Sequence, residues 1–221
     1  MPDTIRAAIF DMDGTLVDNM HIHQEAWRRF LEGKGLPFDE AQYHRNNSGT
    51  ITEIIPRFFP QATDPAEAYR LGMEKEAVYR DVYRGRVVAL PGLVAFLDAL
   101  RKAGIRIALA TAADRGNIDF TLDELGIRDR FDALVGSEDV QRGKPHPDVY
   151  LRAAERLGEA PRHCLAFEDA HPGIRAALDA GMRVVGLATT HPRSELETYP
   201  LHALIDDYRM EDPISLLNID T

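Results

Sequence analysis

The chain has 221 residues, 44% of them hydrophobic and 28% charged, enough for one sizeable core and a smaller second domain. Its formal net charge of -10 argues against a broad phosphate-tracking surface, so no nucleic-acid partner is expected. No apolar run reaches the roughly 18 to 20 residues of a membrane span and no leader pattern opens the chain, so no membrane partner and a cytoplasmic location are expected; the single cysteine, Cys164, excludes an intrachain disulfide and thiol-rich zinc sites.

A short apolar run at 5–10 predicts a strand, and it ends on Asp11 and Asp13. Helical patterns follow. Ile22, Ala26, Trp27, Phe30 and Leu31 share one face, and "DPAE" at 64–67 reads as an N-cap, an N1 proline and a first-turn glutamate opening a helix to about 84. Leu93, Phe96, Leu97 and Leu100 form the next helical face, stopped by Gly104. From there strands and helices alternate. Strands are predicted at 105–110, 131–135, 163–167, 183–187 and 203–205, with helical stripes before Gly126, Gly158 and Gly181.

Strands apolar on both faces, alternating with helices, indicate a doubly wound α/β fold with a parallel sheet. The rhythm breaks once, because far more chain separates the first two strands than one crossover helix needs. The expected organisation is therefore a core of 1–16 and 86–221 with an inserted all-α domain at 17–85.

Ligands of such sheets bind beyond the carboxyl ends of the strands. Asp11 and Asp13 follow the first strand, Thr111 the second, and Glu168 and Asp169 the fourth, while Lys144 lies in the loop "RGKPHPD" after the third. Right-handed crossovers place these ends on one edge. Each residue has a plainer reading: Asp169 and Thr111 as helix caps, Lys144 as a solvated lysine, "DMDG" as a turn. Four clustered acids, however, cost stability unless a cation compensates them. Oxygen-only ligands point to Mg²⁺ or Mn²⁺, and an EF-hand is excluded because Gly14 stands at position four from Asp11 rather than six. His21 and His23, two residues apart, make a poor metal pair on a helix. The histidines of the three "HP" pairs, His146, His171 and His191, read as loop surface.

"DMDGTLVDN", the hydroxyl of Thr111 after a strand, "GKPHPDVY" and "FEDAHPGIRAA", in this order around a helical insert, resemble the haloacid dehalogenase superfamily. The likeness is to its phosphatase and β-phosphoglucomutase branch, which has a Rossmann-like core and a small helical cap. It implies that Asp11 is a nucleophile forming an aspartyl phosphate, and that Asp13 is general acid and base. It further implies that Thr111 and Lys144 hold the phosphoryl group, and that Asp11, Asp13, Glu168 and Asp169 hold Mg²⁺. An aspartate at position 13 separates the chain from the dehalogenating members.

In the insert, the resemblance makes His23, Thr50, Thr52 and Lys75 the candidate substrate contacts, with Trp27 as packing. Mutases of this branch carry an arginine for a second phosphate where this chain, in "NNSGTITEI", has Thr52, which lacks a cationic fork. "AADRGN" after Thr111 also departs from the mutase pattern. The expected activity is thus Mg²⁺-dependent hydrolysis of a small phosphorylated metabolite, chiefly sugar phosphates, by a monomer or weak dimer. Interconversion of β-glucose 1-phosphate and glucose 6-phosphate is the alternative. A receiver-type domain also combines strand-end acids with Mg²⁺ but has no large insert after its first strand. A binding module with a dead site conflicts with the full set of acids, hydroxyl and lysine.

Overall fold

The computed structural model describes residues 4–47, 49–209 and 213–217. Its sheet has six parallel strands in the order β3-β2-β1-β4-β5-β6. These are β1 (Ala7–Phe10), β2 (Arg106–Ala110), β3 (Ala133–Val135), β4 (Cys164–Glu168), β5 (Arg183–Leu187) and β6 (Ala203–Ile205). Every residue of β1 and β4 is buried, which explains their uninterrupted apolar character.

The sheet is covered because successive residues point to opposite faces. Ala7 and Ile9 of β1 join a cluster with Val149, Tyr150 and Ala153 of the helix Asp148–Leu157 and with Ala177 of the helix His171–Asp179. Phe10 points the other way, stacks on Phe167 at 4.4 Å and meets Phe96 of the helix Leu93–Lys102 edge-on. Tyr208 completes that face and donates its hydroxyl to the Thr15 carbonyl at 3.0 Å.

In chain order the helices are α1 (Met20–Gly33), α2 (Glu40–Asn46), α3 (Ile51–Phe58), α4 (Pro65–Tyr83), α5 (Leu93–Lys102), α6 (Arg115–Leu125), α7 (Asp148–Leu157), α8 (His171–Asp179) and the short α9 (Arg193–Leu196). The first four form the compact unit Asn19–Val87; Met1–Asp18 and Val88–Thr221 form the other. The division falls two residues later at each end than the composition suggested. Val17 bridges both Asp13 and Ala89, and the Leu90 amide donates to the Leu16 carbonyl at 2.8 Å, which ties both chain crossings into the sheet unit.

The helical unit has its own core, in which Trp27 stacks on Phe58 at 4.5 Å among Phe30, Leu31, Tyr43 and Ile55. Asp64 caps α4 through the Ala66 amide, with Pro65 in the first turn. No helix among the described residues is long and apolar enough to cross a membrane.

Candidate active site

The strand order reverses between β1 and β4, and a doubly wound sheet opens a crevice at the carboxyl ends of two such strands. Phe10 is in register with Phe167, and the Asp11 amide continues the ladder to the Phe167 carbonyl at 3.0 Å. Asp11 and the pair Glu168 and Asp169 are therefore neighbours because of backbone register alone. The chain then turns sharply. Gly14, at φ +81°, donates to the Val17 carbonyl at 2.7 Å, and a Cβ there would lie 2.0 Å from Oδ2 of Asp169. Only glycine fits both the backbone conformation and the carboxylate beside it.

Lys144 binds this pair of strand ends together. Its side chain is 10% exposed, and Nζ donates to Asp11 Oδ1 at 2.6 Å and Glu168 Oε1 at 2.5 Å. The same Oε1 accepts the Tyr150 hydroxyl at 2.7 Å, and Oε2 accepts the amides of Asp169 and Ala170 at 3.1 and 3.3 Å. Glu168 is thus held at both oxygens. Lys144 is not the solvated lysine that its loop composition allows.

One ammonium faces three buried carboxylates, those of Asp11, Glu168 and Asp169. Burial raises the Asp11 carboxyl well above its usual range, with Lys144 pulling it down and Glu168, Asp169 and Asp13 pushing it up. Asp169 is pushed up to about 7, first by burial and then by Glu168, against the Thr190 hydroxyl and Lys144. Lys144 is raised by Asp11 and Glu168 although burial opposes this. The three carboxylates each offer an oxygen within 4.8 Å of the others. Surplus negative charge on oxygen-only donors fits a hard divalent cation such as Mg²⁺.

The remaining sheet-unit residues fall on the same edge. Asp13 is half-buried in the turn after Asp11. Thr111 follows β2, is buried, and its hydroxyl accepts the Ala113 amide at 3.1 Å. Neither Thr111 nor Asp169 caps a helix. Asp114 caps α6 through the Asn117 amide, and Ala170, which has no side-chain cap, precedes α8.

Three further side chains contribute to the site. Tyr150 was one apolar position of a helical stripe, although a buried tyrosine hydroxyl requires a partner. Thr15 lies 3.4 Å from Asp169 Oδ1, and Thr189 donates to the Gly14 carbonyl at 2.5 Å. The strand-end rule applied to β5 would have found Thr189 and Thr190.

In the helical unit, Lys75 and His23 come together. Lys75 is buried, donates to Glu76 at 3.0 Å, lies 3.3 Å from His23 Nδ1 and sits over the Trp27 and Tyr79 rings. His23 stacks on Tyr79 with ring centroids 4.1 Å apart. The stretch expected as a substrate loop becomes α3 from Ile51 onward. The Thr50 amide is bound by Glu53 at 2.7 Å, and the Thr50 and Thr52 hydroxyls are 3.2 Å apart; Ser48 lies outside the described residues. His191 lies in the loop after β5 as expected, whereas His171 opens α8; both are partly exposed and contact Glu195.

A family model, haloacid dehalogenase-like hydrolase, matches residues 5–181. The chain belongs to this family of hydrolases. It is 36% identical over 182 residues to the fructose-1-phosphate phosphatase YqaB of Escherichia coli strain K12, covering 80% of this chain and 93% of that protein. It is 30% identical over 229 residues to the beta-phosphoglucomutase of Bacillus subtilis strain 168, covering 95% and 100%. The crystal structure of a HAD hydrolase of family IA, variant 3, from Entamoeba histolytica superposes with a TM-score of 0.86 at 27% identity, covering 96% of this chain and 99% of that one.

Proposed function

We propose that the protein is a Mg²⁺-dependent phosphatase acting on small phosphomonoesters, chiefly sugar phosphates, through an aspartyl phosphate on Asp11. The observation that carries this reading is the ammonium of Lys144 held between Asp11 and Glu168 at the strand-order reversal. Phosphoryl transfer needs alignment and charge neutralisation, and a carboxylate nucleophile divides one difficult hydrolysis into two steps. Asp11 and Asp169, with the carbonyl of Asp13, would hold the cation. When bound, Mg²⁺ supplies positive charge against the phosphoryl oxygens and keeps Asp11 ionised. Glu168, with both oxygens already engaged, fixes Lys144.

In the first step an Asp11 oxygen bonds to phosphorus, the bond from phosphorus to the ester oxygen breaks, and protonated Asp13 gives its proton to the leaving alkoxide. Asp13, now a carboxylate, then takes a proton from water as that water's oxygen attacks phosphorus. The aspartyl bond breaks, releasing inorganic phosphate and restoring Asp11. Thr111 and Lys144 bind the phosphoryl oxygens throughout. His23, Lys75, Thr50 and Thr52 are proposed substrate contacts of the helical unit acting as a cap.

Two features favour hydrolysis over mutation of the sugar. Thr52 offers no bidentate cation to a second phosphate, and "AADRGN" after Thr111 departs from the mutase pattern. The E. coli relative bears a phosphatase's name and the B. subtilis relative a mutase's. The test is incubation of the purified protein with β-glucose 1-phosphate and Mg²⁺ while inorganic phosphate and glucose 6-phosphate are followed together. Phosphate without the isomer supports hydrolysis. Glucose 6-phosphate without phosphate release overturns it.

A further inference from the structure

We propose that His171, His191 and Glu195 form a second metal site, one that takes a transition cation of the zinc class rather than Mg²⁺. His171 opens α8, while His191 and Glu195 lie four residues apart on the stretch from β5 into α9, so the donors come from two segments of the sheet unit. Each offers one donor atom within 4.8 Å of the others. Glu195 Oε2 lies 3.2 Å from His171 Nε2 and 3.5 Å from His191 Nδ1, and the two imidazole centroids are 4.3 Å apart.

These separations suit a ligand set as well as the long hydrogen bond that joins His171 to Glu195. A charge-assisted N–H···O⁻ bond is about 2.7 to 2.9 Å long, and both contacts exceed that. Ligands bonded at about 2.0 to 2.1 Å in a tetrahedron stand about 3.3 Å apart, and the two observed edges bracket this value.

The donor chemistry sets the ligand class. Two imidazoles and a carboxylate suit Zn²⁺, Co²⁺ or Ni²⁺, whereas the all-oxygen set around Asp11 and Asp169 suits Mg²⁺. Water completes the coordination, because the three side chains are 34%, 30% and 53% exposed. His171 is two residues beyond Asp169, and His191 follows Thr189 and Thr190, which reach Gly14 and Asp169. A bound cation would therefore clamp the loop after β4 to the loop after β5, beside the phosphate-handling edge and without occupying it.

The test is a competitive chelator titration of the whole protein with Zn²⁺ in excess Mg²⁺, which holds the carboxylate site. His191→Ala and Glu195→Gln are compared with the wild type, and histidine ring resonances are recorded by NMR. The wild type should bind one Zn²⁺ per chain that Mg²⁺ does not displace, with the His171 and His191 signals shifting. His191→Ala should weaken it by at least the 10- to 100-fold that loss of even an outer hydrogen-bond partner costs a metal site, about one to two decades. Glu195→Gln should weaken it in the same sense. Equal melting temperatures of the three proteins in EDTA exclude misfolding as the cause. Zn²⁺ binding that is fully displaced by Mg²⁺, or that is unchanged in His191→Ala, overturns the proposal.

Discussion

Lys144 is the residue on which the carboxylate cluster depends. Replacing it by Met removes the ammonium that bonds Asp11 and Glu168, so an activity loss of about 10²- to 10³-fold is expected. In EDTA the same change should cost about 3 to 5 kcal/mol of stability, since it leaves buried carboxylates unpaired. Steady-state kinetics and denaturant unfolding check the two effects separately. Asp13→Asn should lower kcat by about 10²- to 10⁴-fold while leaving Mg²⁺ binding in place, because the cation would take only its backbone carbonyl. Gly173 offers a sharper geometric test. Gly173 lies in the first turn of α8, and within a helix Gly→Ala ordinarily stabilises by up to about 0.5 to 1 kcal/mol. Here a Cβ would stand 1.8 Å from Glu168 Oε1, so Gly173→Ala should instead destabilise by about 1 to 3 kcal/mol and lower activity through Glu168. A stabilised and fully active Gly173→Ala would contradict the assigned packing.

At the scale of elements, the caps assigned to α6 and α4 are open to the same kind of check. Asp114→Ala removes the side chain that accepts the Asn117 amide and should cost about 1 kcal/mol, which is about 2 to 4 °C in melting temperature for a chain of this size. Strand identities were legible because β1, β4 and β5 are buried on both faces and keep nearly unbroken apolar runs. The helices α5, α6 and α7 were legible from periodic leucines, valines and alanines closed by glycine. Asp11, Asp13, Thr111, Lys144, Glu168 and Asp169 could be placed on one edge because topology alone brings strand ends together. The division at Asn19 was less visible, since it depends on the bridge from Val17 to Ala89, a pairing that periodicity does not encode. Tyr150, Thr15 and the Glu195 pairings with His171 and His191 escaped for a related reason. Apart from the i,i+4 contact of His191 with Glu195, they join side chains far apart in sequence, and residue type alone specifies none of them.

For the molecule as a whole, all the residues proposed to handle the phosphoryl group belong to Met1–Asp18 and Val88–Thr221, while Asn19–Val87 carries a separate core around Trp27. Mg²⁺ should therefore raise the melting temperature of the wild type relative to EDTA by relieving repulsion among Asp11, Glu168 and Asp169. This increment should vanish in Asp169→Asn. Trp27→Ala should cost about 3 to 5 kcal/mol and leave the acidic cluster proposed to bind Mg²⁺ in the other unit intact. The central claim is tested most directly by measuring inorganic phosphate release from a panel of sugar monophosphates, with Mg²⁺ or EDTA, for the wild type and Asp11→Asn. The account predicts release that requires Mg²⁺ and falls by more than about 10⁴-fold in Asp11→Asn. Release that persists in EDTA or survives in Asp11→Asn would contradict it.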